Sequence, residues 1–195
     1  MTTNGRCIRK VLAAALAAAL GNPVLAANFN ACSSVPDAAP GSFQVDFGGH
    51  AVTNIVAVVP TVDTLGFARI VSLDNQIRMT CGIRGTITAV VPTATGFNAT
   101  FVSHAVCPEH SQLDFNVATV VTVTGFCPDA VNTIGSVSEQ GDIHGSVGPA
   151  TGAVGRIQLN GVSACGLQEL DISGFLCLTQ QQYTALKSLK QGGEN

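Results

Sequence analysis

Hydrophobic and polar residues alternate with a period of two along much of this chain. In segment 43–47 apolar residues alternate with Gln and Asp, and segments 83–91, 97–101 and 169–176 repeat the pattern. Successive side chains of a β-strand point to opposite faces, so each segment predicts a strand with one buried and one exposed face. Segments 50–59 and 116–126 are more continuously apolar, which predicts central strands. Ala, Val, Thr, Ser and Gly dominate the composition, and β-branched residues suit a pleated surface.

Turn sequences separate these segments at regular intervals. They are rich in Pro, Gly, Asp and Asn and occupy residues 60–66, 92–96, 107–111, 127–132 and 148–152. Short strands and turns at such spacing are typical of a sandwich or barrel. We therefore predict one all-β domain over residues 28–178, an antiparallel sandwich or barrel of roughly ten short strands.

The C-terminal residues 179–195 carry a different pattern. Thr179 suits a helix N-cap, Gln182 occupies the capping-box position, and Tyr183, Leu186 and Leu189 recur on one side. Gly and other polar residues then end the chain. We predict a short helix in a tail that is helical or flexible.

The N-terminal residues 1–27 have the organisation of a secretory signal peptide. Arg6, Arg9 and Lys10 precede the apolar run 11–20, and small residues follow at a position that suits signal peptidase. The run is too short for a stable membrane span. We predict an exported protein in the extracellular space, at the cell surface or in the periplasm.

Charge argues against nucleic acid as a partner. Without residues 1–27 the chain keeps six of its nine Lys and Arg residues and all 12 acids, so its net charge is about −6. Phosphate binding needs a basic face. The acids are scattered along the chain, as on an ordinary solvated surface.

Six cysteines follow the predicted signal peptide, and an even number in an exported protein predicts three disulfides. Segment 81–127 resembles segment 140–177: in each, a Gly-rich strand, a Pro-to-Gly turn and a second strand lead to a cysteine, and a further strand leads to another cysteine. If this is an internal duplication and each half closes its own loop, the pairs are Cys32–Cys81, Cys107–Cys127 and Cys165–Cys177. Pairing of Cys81 with Cys107, as the two ends of a hairpin, is the alternative.

The Gly-rich segment 141–165 superficially suggests a phosphate-binding loop. Such a loop needs Lys followed by Ser or Thr, and then a helix. Arg156 and Ile157 occupy those positions, and a strand pattern follows. We interpret the segment as a hairpin turn and expect no cofactor.

Few residues suggest chemistry. His104, Glu109, His110 and His144 are the candidate ligands for zinc or copper, although surface polar residues are the simpler interpretation. Asp142 and His144 would form a triad with a serine only through tertiary contacts, and no nucleophile motif is present. We therefore assign no catalytic, cofactor-binding or metal residue.

One family shares several of these features. The start Cys81-Gly82-Ile83-Arg84-Gly85-Thr86-Ile87, the strand 101–107, Cys127-Pro128 and Cys165 resemble the small exported activators of alkane oxidation, the PraB-like proteins. The resemblance spans about residues 75–176. It implies a secreted bacterial accessory protein that supports growth on hydrocarbon, and it implies no catalytic residues.

These observations together predict a secreted, non-enzymatic accessory protein. It would act by binding an apolar small molecule, or by associating with itself or other surface or matrix proteins through exposed strand edges. A secreted metal-dependent or hydrolytic enzyme is the second hypothesis. A pilus or adhesin subunit is the third.

Overall fold

The computed structural model describes residues 31–58, 61–108, 111–128 and 133–189. The predicted signal peptide, Glu109, His110 and the last six residues lie outside the described residues.

The described chain forms one closed antiparallel barrel in which each strand pairs with the next and β1 pairs with β8. This order requires only short connections, so each pair of consecutive strands is a hairpin, and the β1–β8 pair closes the barrel. The strands are β1 (Phe43–Val58), β2 (Thr61–Ser72), β3 (Arg78–Pro92), β4 (Gly96–Val106), β5 (Gln112–Phe126), β6 (Thr133–Val147), β7 (Val154–Ala164) and β8 (Leu167–Leu178).

The period-two pattern sorts side chains between an inner wall, which faces the barrel axis, and an outer wall. Leu170, Ile172 and Leu176 are buried on the inner wall, and the adjacent Glu169 and Asp171 are exposed. Eight strands leave an interior just wide enough for side chains to fill. The buried inner residues accordingly form one continuous core.

The all-β class is confirmed, but the prediction of about ten short strands is wrong: the described residues form eight strands of 11 to 16 residues. Segment 43–47 and residues 50–58 of the second segment belong to one strand, although Gly48 and Gly49 separate them. A Cβ on Gly49 would lie 2.0 Å from the Arg69 carbonyl oxygen. Glycine here permits a close approach of strands within the sheet and does not end β1.

Glycines on the inner wall mark other close approaches between strands. A Cβ on Gly141 would lie 2.1 Å from the carbonyl oxygen of Asn116, and one on Gly161 would lie 1.9 Å from that of Glu169. Such glycines let a small barrel bend tightly. They explain why the Gly-rich segment 133–147 is a strand, although it lacks a strongly hydrophobic sequence.

A C-terminal helix, α1 (Gln180–Leu189), packs over the barrel end where β1 begins, which we call the helix end. Thr179 Oγ1 accepts a hydrogen bond from the Gln182 amide at 3.3 Å, and Gln182 Oε1 accepts one from the Thr179 amide at 2.7 Å. This confirms the predicted capping box. Leu186 is 1% exposed, and the Tyr183 ring contacts Phe43 edge-on. Among the described residues, no helix has the length and apolar character needed to cross a bilayer.

The three disulfides differ from the predicted pairs Cys32–Cys81, Cys107–Cys127 and Cys165–Cys177. The structure joins Cys32 to Cys177, Cys81 to Cys107 and Cys127 to Cys165. The hairpin alternative for Cys81 and Cys107 is therefore the correct one. Three disulfides are typical of an oxidising compartment, extracellular or periplasmic.

Topology explains the error in pairing. Segments 81–107 and 140–165 do each contain a hairpin, but β3 and β6 are three strands apart in an antiparallel meander and run in opposite directions. Cys107 therefore lies at the helix end, and Cys165 lies at the opposite end, which we call the hairpin end. Cys165 pairs with Cys127 because both residues lie in connections at that end, on either side of β6.

Candidate functional site

The barrel encloses a largely apolar cavity of about 50 Å³. Its apolar lining includes Ile83, Phe101, Phe115, Ile157, Leu159 and Leu170. One water needs roughly 10–15 Å³, and pockets for drug-sized ligands measure roughly 300–1,000 Å³. The cavity therefore has the size for a few waters or a very small organic molecule.

Five polar side chains interrupt the apolar lining: Thr53, Thr64, Ser103, Glu139 and Gln168. Thr53 donates a hydrogen bond to Gln168 Oε1 at 2.9 Å, which leaves the Nε2 hydrogens of that amide as donors. Thr64 and Ser103 flank Gly85: a Cβ there would lie 2.5 Å from Thr64 Oγ1 and 2.7 Å from Ser103 Oγ. The absence of a side chain at Gly85 keeps space open beside these two hydroxyls.

Glu139 is the acidic group of the cavity. It lies on β6, in register with Thr119 on β5 and Leu159 on β7. Desolvation in this apolar setting raises the pKa of the Glu139 carboxyl to about 7. The Thr119 hydroxyl favours the charged form and opposes this shift, but it is not at hydrogen-bonding geometry. Glu139 consequently titrates close to neutral pH.

Within the described part of the chain, no cation forms an ion pair with Glu139. The four ion pairs among the described residues lie elsewhere: His50–Asp171, Arg84–Asp63, His104–Asp114 and Arg156–Asp142. All of them involve side chains of the outer wall. A carboxylate in an apolar interior normally needs a cation or hydrogen-bond donors. Glu139 therefore lacks the partner that its charged form requires.

Sequence reasoning missed Glu139, although a signal was present. The inner positions of β6 alternate through Gly135, Val137, Glu139, Gly141 and Ile143. Three glycines weaken the hydrophobic signal of this strand. Once the strand is recognised, an acidic residue midway between Val137 and Ile143 falls on the buried face, and this position predicts an unusual pKa.

The two described candidates for metal ligands, His104 and His144, lie on the outer wall. Register places His104 on β4 and His144 on β6 on either side of Asp114 on β5, and His104 Nδ1 is 2.7 Å from Asp114 Oδ1. Glu109 and His110 lie outside the described residues. Within the part of the chain that the structure describes, no three His, Cys, Asp or Glu side chains are arranged to hold a metal.

The components of the conceivable triad do not assemble into one. Asp142 and His144 share the outer face of β6, and the carboxylate of Asp142 lies 3.7 Å from Arg156 Nε instead. The Gly-rich segment after His144 forms a short 3-10 helix, Gly148–Ala150, and the strand β7, as its interpretation as a turn predicted. Gly148 and Gly152 have positive φ angles of 71° and 77°, which glycine adopts readily in turns.

A second buried carboxylate lies on the outer wall. Asp63 is 2% exposed, and its Oδ2 accepts hydrogen bonds from Arg84 Nη2 at 2.8 Å and Nε at 3.2 Å. Thr86 Oγ1 donates to the other oxygen at 3.0 Å. These charge-assisted contacts join β2 to β3 and satisfy the carboxylate.

Comparisons of the chain with protein-family models, with curated proteins and with solved structures find no match.

Proposed function

We propose that this protein is an exported, non-enzymatic binding protein that holds a small, mostly apolar molecule inside its barrel. The observation that carries the proposal is the cavity, which combines an apolar lining with a few convergent polar groups. This combination is the usual design of a small-molecule site. The three disulfides suit the oxidising compartment to which export would deliver the protein.

Closure of the barrel favours binding over association through strand edges. Every described strand has a partner on both sides, so the barrel presents no unpaired edge to a second copy or to a donor strand. Both the edge-pairing mechanism and the pilus hypothesis depend on such an edge. Binding inside the barrel needs none.

The resemblance to PraB-like proteins supplies a biological setting for this proposal. A protein that assists growth on hydrocarbon would meet small apolar molecules outside the cytoplasm. The cavity volume of about 50 Å³ limits the guest to a short chain of a few carbon atoms. We therefore propose short-chain compounds and not long alkanes as its ligands.

A cavity-filling variant tests the proposal. Ala105 is 1% exposed and lines the cavity, so Ala105→Leu should fill part of the space and abolish binding. Ala118 is exposed on the outer wall of β5, and Ala118→Leu is the matched control. Calorimetric titration with ethanol and ethylamine, which are small enough for a cavity of about 50 Å³, should give heat of binding for the unmodified protein and the control variant only. The absence of binding by the unmodified protein would contradict the proposal.

Association through the outer wall is a second candidate, and a specific observation favours it. Phe67 and Phe126 are 54% and 73% exposed, and several valines of the outer wall are also exposed. Exposed apolar side chains at this density are a feature of contact surfaces. Light scattering at increasing protein concentration should reveal growth in mass that Phe67→Ser and Phe126→Ser reduce; a constant monomer mass would contradict this candidate.

A further inference from the structure

The inner wall carries charge of a single sign. Among the described residues, the inner positions of all eight strands hold one ionisable side chain, Glu139, and no Lys, Arg or His. Described cations such as Arg69, Arg84 and Arg156 are exposed on the outer wall. A carboxylate ligand would meet this acid without any compensating cation. The cavity therefore discriminates against anions by charge.

The groups near Glu139 complement a compact hydrogen-bond donor. The Thr119 hydroxyl is buried without a hydrogen-bond partner and lies in register with Glu139 on the neighbouring strand. A carboxylate accepts hydrogen bonds only, and a hydroxyl can also accept. A primary ammonium has three N–H donors and no acceptor, so it can satisfy both groups at once.

The apolar lining complements the other half of such a ligand. Ile157 and Leu159 of β7 and Phe115 of β5 line the cavity on the strands that flank Glu139. Burial of a short alkyl chain against these side chains would remove apolar surface from water. A ligand that complements one carboxylate beside an apolar wall is an amphiphile with its charge at one end.

We propose that the cavity binds a small primary alkylammonium ion, with the ammonium at Glu139 and Thr119 and the alkyl chain against the apolar lining. This inference rests on the proposed binding function and names the chemical class of the ligand. The ammonium is the cationic partner that the inner wall does not supply.

The geometry implies that binding depends on pH through Glu139. Across its flanking strands Glu139 faces Thr119 on β5 and Leu159 on β7, neither of which titrates near neutral pH. The remaining cavity-lining residues of β1, β2, β3, β4 and β8 are uncharged, and Asp142 and Arg156 point to the outer wall. The ionised form binds the ammonium, so affinity should rise with pH until Glu139, with its pKa of about 7, is fully ionised.

Three two-carbon compounds, which suit the small volume of the cavity, test the inference: ethylamine, ethanol and acetate. Calorimetric titration of the intact protein at pH 8 should show ethylamine binding at least about tenfold more tightly than either of the others, because only the amine forms charge-assisted hydrogen bonds with the carboxylate. At pH 5.5 its affinity should fall by about thirtyfold, the ratio of the ionised fractions of a carboxyl with a pKa of about 7.

Glu139→Gln keeps the shape of the side chain and removes its charge. It should weaken ethylamine binding by at least about tenfold, abolish the pH dependence and leave ethanol binding almost unchanged. Glu169→Gln, at an exposed carboxylate on the outer wall of β8, is the matched control and should bind like the unmodified protein. Circular dichroism of both variants verifies that the barrel is folded.

The outcomes separate this inference from the proposed function. If the amine and the alcohol bind equally and Ala105→Leu abolishes both, the cavity is a binding site but the ammonium assignment is wrong. If Glu139→Gln leaves amine binding unchanged, the assignment is also wrong. If none of the three compounds binds, both the inference and the proposed function fail.

Discussion

Two carboxylates on opposite walls of this barrel differ in the partners that surround them. Asp63 belongs to the outer wall, where Arg84 and Thr86 donate three hydrogen bonds to it. Glu139 belongs to the inner wall and has no cationic partner, and its pKa rises to about 7. Among the described residues, the structural carboxylate Asp63 thus has a cationic partner and the cavity carboxylate Glu139 has none.

The difference separates a structural role from a functional one. Asp63 ties β2 to β3 through contacts that the chain itself provides. Glu139 makes no comparable contact, so its ionised form lowers the stability of the fold. A group that costs stability and faces a cavity is a candidate for ligand binding.

The largest expected effect is the pH dependence of stability caused by Glu139. Folding raises the pKa of Glu139, so the folded state binds a proton more tightly than the unfolded state does. The stability gained from this proton is complete below about pH 4.5 and is lost as pH rises through 7. Glu139→Gln should therefore stabilise the protein by about 3 kcal/mol at pH 8, since one pKa unit corresponds to about 1.4 kcal/mol. Urea unfolding followed by circular dichroism measures the difference.

The control for this prediction is the same comparison at low pH. Near pH 4 the Glu139 carboxyl is protonated in both states, so Glu139→Gln and the unmodified protein should have nearly equal stability. A variant that is equally stabilised at pH 4 and pH 8 would show that charge is not the cause.

Asp63→Asn should have the next largest effect and the opposite sign. The substitution weakens the hydrogen bonds that Arg84 and Thr86 donate. Hydrogen bonds to charged groups contribute roughly 1.5–3 kcal/mol each. Because Arg84 is exposed and its contact is screened by water, we expect the free energy of unfolding to fall by about 2 kcal/mol. Urea unfolding at pH 7 measures the loss. Asp46→Asn, at an exposed carboxylate of β1, is the control. Equal stability of the Asp63 and Asp46 variants would contradict the structural role of Asp63 and with it the contrast between Asp63 and Glu139.

The sequence predicted the part of the fold that depends on local pattern. Alternation identified the buried face of β8, and the capping box located the start of α1 at Thr179. The number of strands was wrong in part because segments 43–47 and 50–59 were predicted as separate strands, whereas Gly49 between them permits a close approach within the sheet. Local propensity does not distinguish a glycine that ends a strand from one that bends it.

Pairing and the site depend on three-dimensional neighbours, which local pattern does not specify. Cys127 and Cys165 are separated by 38 positions and meet only because both lie at the hairpin end. His104 and Asp114 meet through register, and their contact is on the outer wall. Glu139 acquires its significance from barrel closure, which encloses it opposite β2. None of these relations is local in sequence.

Thr119→Val should have a smaller, stabilising effect. The Thr119 hydroxyl is buried without a hydrogen-bond partner, and replacement by a methyl group of similar volume should relieve a cost of about 1 kcal/mol. The hydroxyl also favours the ionised form of Glu139, so its removal should raise the pKa of that carboxyl further. Urea unfolding and NMR titration of the Glu139 side chain measure the two effects. Thr122→Val, on the outer wall of β5, should change neither, and a lowered Glu139 pKa in the Thr119 variant would contradict the account.

The smallest expected effect concerns Asp114 on the outer wall. Burial alone would raise its pKa, but hydrogen bonds from Gln112 and His104 outweigh that influence and lower the pKa. A lowered pKa contributes stability that is present above the ordinary value near 3.8 and is lost as pH falls through the folded-state pKa.

Asp114→Asn should therefore lower the free energy of unfolding by less than about 1 kcal/mol at pH 6, and by still less at pH 3. Urea unfolding at the two pH values measures the difference. Asp171→Asn, whose carboxylate is exposed and 3.4 Å from His50, should have no measurable effect. Equal losses for Asp114→Asn at both pH values would show that the side chain acts through packing and not through its charge.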